Sequence, residues 1–212
     1  TLLLHSAIYE TVMLNGVLLI PAFAMERTQE LLYEINTLVN NHDIPPVPIY
    51  VDSPLAIKAT AIFKRYERYF NTETQGFIRG GDDVFSFPGL NMTPTSDESK
   101  SINDVPAPKV IIAGSGMAHG GRIVHHIKRY IGNFATTYLI VGYQVQGSLG
   151  RKLLDGAKNV RIHGEDIEVN ARVQAIGGYS AHADQPKLTA WITAFNQQQL
   201  KGVFLNHGEE DQ

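Results

Sequence analysis

The sequence predicts an α/β fold, a mainly parallel sheet flanked by helices, and two features carry that reading. Short apolar, β-branched runs alternate with amphipathic stretches at helical spacing, the order expected when each strand is followed by a crossover. Five polar or glycine-containing clusters follow the carboxyl ends of apolar runs: Pro21-Ala22-Phe23-Ala24, Asp52-Ser53-Pro54, Gly114-Ser115-Gly116-Met117, Gly142-Tyr143-Gln144 and His207-Gly208-Glu209. Open α/β sheets take ligands in the crevice beyond those ends, so the clusters predict one shared cleft.

Val17–Ile20 reads as the first strand, and the spacing of Leu31, Leu32, Ile35 and Leu38 predicts a helix over Arg27–Val39. Val47–Val51 is the second strand. Ser53 is placed to cap a helix that has Pro54 at its first position and runs to about Phe70. The stretch Asn71–Pro108 shows little periodicity and is expected to cross the surface or border a groove. Regular alternation resumes with a strand at Val110–Ala113, a helix at Gly121–Ile131 and a strand at Thr137–Val141. A short helix is expected near Leu149–Leu154, with strands near Val160–Ile162 and Ile167–Ile176. A helix near Pro186–Phe195 and a strand at Gly202–Leu205 close the pattern.

Composition narrows the function classes. The chain has 212 residues, 43% hydrophobic and 18% charged, as for a globular protein with a sizeable core. No apolar run approaches the roughly 18 residues of a membrane span, and Thr1–Leu4 lack the basic flank of a signal peptide, so no membrane partner is expected. The absence of cysteine excludes disulfides and thiolate metal sites and suits a cytoplasmic protein; any metal must be held by His and carboxylates. The net charge of −3 conceals an uneven distribution. Between Lys109 and Arg161 stand eight basic residues and one acid, Asp155. Such a stretch draws phosphates if it surrounds a site, and is otherwise a solvated helix face.

Three segments carry candidate chemistry. In Val110–Arg122 an apolar strand enters a Gly-rich turn and then a helix. There the backbone can approach an anion, with Ser115 and Arg122 as added donors; a purely structural turn fits equally well. The turn has neither the P-loop nor the dinucleotide pattern, which disfavours a nucleotide-binding domain. In Gly177-Gly-Tyr-Ser-Ala-His-Ala-Asp184, His182 ends a strand and is a usable acid or base, while Asp184 is placed to cap the next helix. In Val203-Phe-Leu-Asn-His-Gly-Glu209, His207 ends a strand and is a candidate zinc ligand. His125 and His126, adjacent on a helix, point to different faces and read as packing or surface residues.

Taken together the segments resemble the β-CASP ribonucleases of the metallo-β-lactamase superfamily. The resemblance rests on Ile20–Leu32, Val51-Asp-Ser-Pro-Leu-Ala56, Ile111–Arg122, Val141–Arg151, Gly178–Asp184 and Leu205-Asn-His-Gly-Glu209, which follow the family's order over almost the whole chain. The Ser-Gly-Met and Gly-Tyr-Gln segments are most similar to the group of the pre-mRNA 3′-end cleavage endonuclease and its prokaryotic relatives.

The resemblance implies a β-CASP domain from Thr1 to about Asn170 and, from about Ala171 to Gln212, a returning segment of the lactamase-like αββα domain. It implies zinc-dependent hydrolysis of RNA phosphodiester bonds, with His182 assisting leaving-group protonation and His207 binding one of two zinc ions. Ser115, Gly116 and Met117 would line the substrate cleft, with Arg122, Arg151 and Ser180 on the substrate side; Arg27 would be structural or phosphate-directed. The partner would be RNA, single-stranded, and a homodimer is admitted. The family's His-x-His-x-Asp-His motif does not occur in the sequence and would belong to a missing N-terminal metallo-β-lactamase portion. The chain is therefore expected to bind zinc incompletely and not to cleave on its own. The alternative is a non-catalytic RNA-binding scaffold subunit of a processing complex.

Overall fold

Helix α1 (Leu2–Met13), not anticipated from the sequence, leads into β1 (Val17–Pro21). The computed structural model describes residues 2–179, 183–196 and 198–204. It continues through α2 (Arg27–Asn40), β2 (Ile49–Asp52), α3 (Pro54–Arg65), α4 (Thr72–Arg79), β3 (Leu90–Met92), α5 (Ser96–Ser101), β4 (Lys109–Ala113) and α6 (Arg122–Tyr130). Then come β5 (Thr136–Ile140), α7 (Leu149–Leu154), β6 (Asn159–Ile162), β7 (Glu165–Glu168), β8 (Arg172–Ala175) and α8 (Gln185–Thr193). The fold class matches the expectation: β3-β2-β4-β1-β5-β8 form one six-stranded sheet in which every neighbouring pair is parallel.

The three central strands β1, β4 and β5 are buried along their whole length. Continuous apolar runs are what a parallel sheet covered on both faces requires. Alternation along β1 divides the core. Leu18 and Ile20 point to one face, where they join Leu4 and Ile8 of α1 and Leu31, Leu32 and Ile35 of α2. Val17 and Leu19 point to the other, among Ile123 and Ile127 of α6, Tyr138 of β5 and Leu153 of α7. Each fully buried Leu or Ile contributes roughly 1.5–3 kcal/mol over its exposed state, so neither face is dispensable.

Two expected strands need correction, and the stretch Asn71–Pro108, to which the sequence assigned no elements, holds α4, the edge strand β3 and α5. Local caps account for its helices: Asn71 accepts from the Thr74 N–H, and Thr95 and Glu98 form a reciprocal capping box. The long strand expected at Ile167–Ile176 is two, because β7 turns back on β6 as an antiparallel hairpin and β8 joins β5. Between them the N–H groups of Asn170 and Ala171 both donate to Ile131 O, at 3.0 and 2.9 Å, satisfying a carbonyl just past the end of α6. The described residues of the strand expected at Gly202–Leu205 are not in a strand.

The chain divides into two compact units, Thr1–Ser180 and Ala181–Gln212. In the second, Asp184 caps α8 by accepting from the Lys187 N–H at 2.9 Å, and Trp191 meets Phe195 edge to face at 5.0 Å. No helix among the described residues is long and apolar enough to cross a membrane.

Candidate functional site

Because β1, β2, β4 and β5 are parallel, the segments that follow them emerge on one edge of the sheet. Four of the five clusters singled out in the sequence are thereby brought to that edge; the fifth, at His207, lies outside the described residues. His182 and Ser180 also lie outside them.

The edge is organised around Asp52, the last residue of β2 and fully buried. Its Oδ1 accepts from Thr93 Oγ1 at 2.8 Å and from Arg122 Nη1 at 2.7 Å. Its Oδ2 accepts from Ser99 Oγ at 2.6 Å and lies 2.7 Å from His126 Nε2. Burial would raise the Asp52 pKa, but the hydrogen bonds from His126, Ser99, Thr93 and Arg122 outweigh it and bring the carboxyl down to about 2. An ionised carboxylate only accepts, so the His126 nitrogen facing it carries the proton. Four donors fill the carboxylate's four lone-pair sites.

Arg122 was expected on the substrate side, and the structure gives it partners within the chain. Besides Asp52, Nη1 donates to Thr93 O at 2.6 Å and Nη2 to Pro94 O at 3.1 Å. The residue thus joins the first turn of α6 to the segment after β3. His126 is buried in this network while His125 is exposed, as expected of neighbours on one helix.

Between Asp52 and α6 runs the Gly-rich turn. Ser115 is half-buried, its Oγ donating to Gly120 O at 3.3 Å. Position 121 requires glycine: Gly121 has φ +74°, and a Cβ there would lie 2.5 Å from Gly114 O. At Gly116 a Cβ would lie 2.8 Å from the Phe23 ring, so the ring after β1 packs directly on the backbone of the turn after β4. Gln144, after β5, clamps the turn from the other side, donating to Gly116 O and Gly142 O, both at 3.0 Å. The Gly150 N–H, at the start of α7, donates to Met117 O at 3.4 Å. Arg151 follows on α7 and is paired with Asp155 at 2.9 Å. Ser115, Gly116, Met117 and Arg151 are thus brought near one another through the Gln144 and α7 contacts.

Arg27 is buried and pairs with Glu30 at 3.0 Å, its guanidinium 5.4 Å from the centre of the Tyr179 ring. The Tyr179 hydroxyl donates to Glu34 at 2.6 Å; burial and then the Glu34 carboxylate push its pKa far up. These contacts give Arg27 a structural part, holding the segment that leads into the His182 motif.

Among the described residues, no group of three or more His, Asp or Glu side chains is placed to hold a metal ion. The donors described here do not make a zinc site. Sequence reasoning missed Thr93, Ser99 and His126; of this network, Asp52, at a strand end before a capped helix, and Arg122, after the Gly-rich turn, gave a visible signal.

A six-stranded, wholly parallel sheet with a glycine turn braced at its carboxyl edge defines an α/β domain. Residues 28–153 match the Beta-Casp domain, and the chain belongs to that family. Residues 166–212 match the Zn-dependent metallo-hydrolase RNA specificity domain. The chain is 40% identical to Ribonuclease TTHA0252 of Thermus thermophilus over 95% of its own length and 45% of the relative's. It is 30% identical to Transcription termination factor FttA of Methanosarcina mazei, over 98% of this chain and 33% of that protein. It is also 31% identical to an RNase J-like protein of Methanocaldococcus jannaschii, over 97% of this chain and 46% of that protein. The chain therefore spans less than half the length of each of these relatives.

Proposed function

We propose that this chain is the RNA-binding and part-catalytic portion of a metal-dependent ribonuclease that hydrolyses RNA phosphodiester bonds. The observation that carries the reading is the succession of two matched segments, a Beta-Casp domain followed by a Zn-dependent metallo-hydrolase RNA specificity domain. Relatives named as a ribonuclease and an RNase J-like protein support it.

Residues 1–170 form the β-CASP domain in this proposal, and 171–212 belong to the lactamase-like domain. A single RNA strand lies along the carboxyl edge of the sheet. The turn at Ser115, Gly116 and Met117 faces the phosphates with its backbone, helped by the positive charge of Arg151, and Ser180 adds a hydroxyl donor. Arg122 holds the turn against Asp52. His182 donates a proton to the leaving oxygen, a role open to imidazole because its ordinary pKa of about 6.5 leaves both forms populated near neutrality. His207 is one ligand of the zinc that the longer protein uses. The setting is cytoplasmic.

Two measurements test the proposal. The chain should bind single-stranded RNA weakly, with an affinity that falls steeply as salt rises, and should not cleave it; no binding at low salt removes the phosphate-facing role. In the longer protein, His207→Ala should lower zinc content, whereas His182→Ala should abolish most activity with zinc retained. Equal zinc loss in both overturns the assigned roles.

A further inference from the structure

Helix α3 leaves the carboxyl edge at Ser53, whose Oγ accepts from the Ala56 N–H at 3.3 Å, and runs away from it for 12 residues, about 18 Å. A short 3₁₀ turn, Glu67–Tyr69, extends it. Along this path Lys58, Arg65, Tyr66, Arg68 and Tyr69 are all exposed. Tyr69 is 73% exposed and Tyr66 45% exposed, so neither ring is there to fill the core.

The two rings are nevertheless held. Their centres are 6.3 Å apart and their planes are inclined by 33°. The Arg68 guanidinium lies 4.8 Å from the Tyr69 ring centre and 5.9 Å from that of Tyr66, and its Nη2 donates to the Tyr69 hydroxyl at 3.2 Å. Stacking of this kind organises flat surfaces without burying them. From Pro54 to Tyr69 the chain has four basic residues and one acid, Glu67; Lys64 is paired with Asp83, so the positive field around the rings comes from Lys58, Arg65 and Arg68. Aromatic faces beside a basic track are what single-stranded nucleic acid requires: the charges follow the phosphates and the rings stack on bases of any identity.

We infer that α3 and the turn after it form an auxiliary track for single-stranded RNA, in which Tyr66 and Tyr69, set by Arg68, stack on bases beyond the strand's crossing of the Ser115 turn. The inference rests on the reading of the chain as RNA-binding, and it adds a second contact remote from the glycine turn.

The test compares fluorescein-labelled oligouridines of about 5 and about 15 nucleotides by anisotropy at low salt, the longer spanning both contacts. EDTA is included to silence metal-dependent cleavage. The chain should bind the longer oligomer more tightly. Tyr66→Ala/Tyr69→Ala should weaken that complex about tenfold or more while leaving the shorter one within about twofold. Tyr66→Phe/Tyr69→Phe should restore it, and Arg68→Glu should weaken it with a smaller salt dependence. All three substitutions are at exposed positions, and an unchanged thermal midpoint verifies folding. If the longer oligomer binds the Ala variant as well as the parent, the track does not exist, though RNA binding at the glycine turn stands. If the variant instead loses self-association in sedimentation, the face is a protein contact and the inference fails. If neither oligomer binds the parent chain, the RNA reading and the track fall together.

Discussion

Asp52 Oδ1 and Arg122 Nη1 meet at 2.7 Å across 70 residues of sequence, and the carboxylate is fully buried. The pair fastens the carboxyl end of β2 to the helix that follows the glycine turn. It also sets the behaviour expected of several variants.

Asp52→Ala leaves Arg122 and His126 facing each other without the anion between them. Breaking a buried pair by removing one partner costs about 3–5 kcal/mol. Urea denaturation should show a loss of that order, and a change below about 1 kcal/mol would mean the web is not a structural centre.

The same carboxyl predicts the acid response. Its folded pKa, about 2, lies below the ordinary value of 3.8, so the folded state holds fewer protons on it than the unfolded chain does. Stability from this group is fully present above pH 3.8 and is lost as pH falls towards 2. Linkage gives about 2 kcal/mol in that window, and Asp52→Asn should flatten the curve between those limits in an acid titration followed by circular dichroism.

Gly121→Ala forces a side chain into positive φ and against Gly114 O. A destabilisation of about 1–3 kcal/mol is expected. RNA affinity should fall too, because the turn presenting Ser115 must move; retained affinity with unchanged stability would remove the steric argument.

Asp184 separates two readings of the His182 motif. As the cap of α8, it should tolerate Asn, while Ala should cost about 1 kcal/mol in the stability of the second unit. Its contact with Lys187, 3.8 Å between exposed side chains, adds little. If Asn proves as harmful to activity as Ala, Asp184 acts in more than capping.

How much of this was legible in the sequence follows from the range of each interaction. β1, β4, β5, α2 and α6 were readable because their burial makes long apolar patterns. The Ser53 and Asp184 caps were readable because a cap is a local motif. α1 escaped notice although Leu4, Ala7, Ile8 and Thr11 form its buried face: exposed Leu2, Leu3 and Met13 blur the amphipathic pattern. β3 is three residues long and takes its place from neighbours, which no local pattern encodes. For the site, the glycine turn could be found from its composition. The partners of Asp52 lie 41 to 74 residues away, and only the topology of the sheet brings them together.

The order of the strands also governs how this molecule must be made. β1 sits in the middle of the sheet, yet both of its neighbours are synthesised much later, β4 beginning at Lys109 and β5 at Thr136. A ribosome takes on the order of ten seconds to supply that intervening length. Throughout that interval Val17–Pro21, among the most apolar segments of the chain, has two unsatisfied edges and no sheet to join. Helices α1 and α2, which flank this strand in sequence, can cover its Leu18 and Ile20 face early, whereas the Val17 and Leu19 face and both edges wait for β4, β5 and α6.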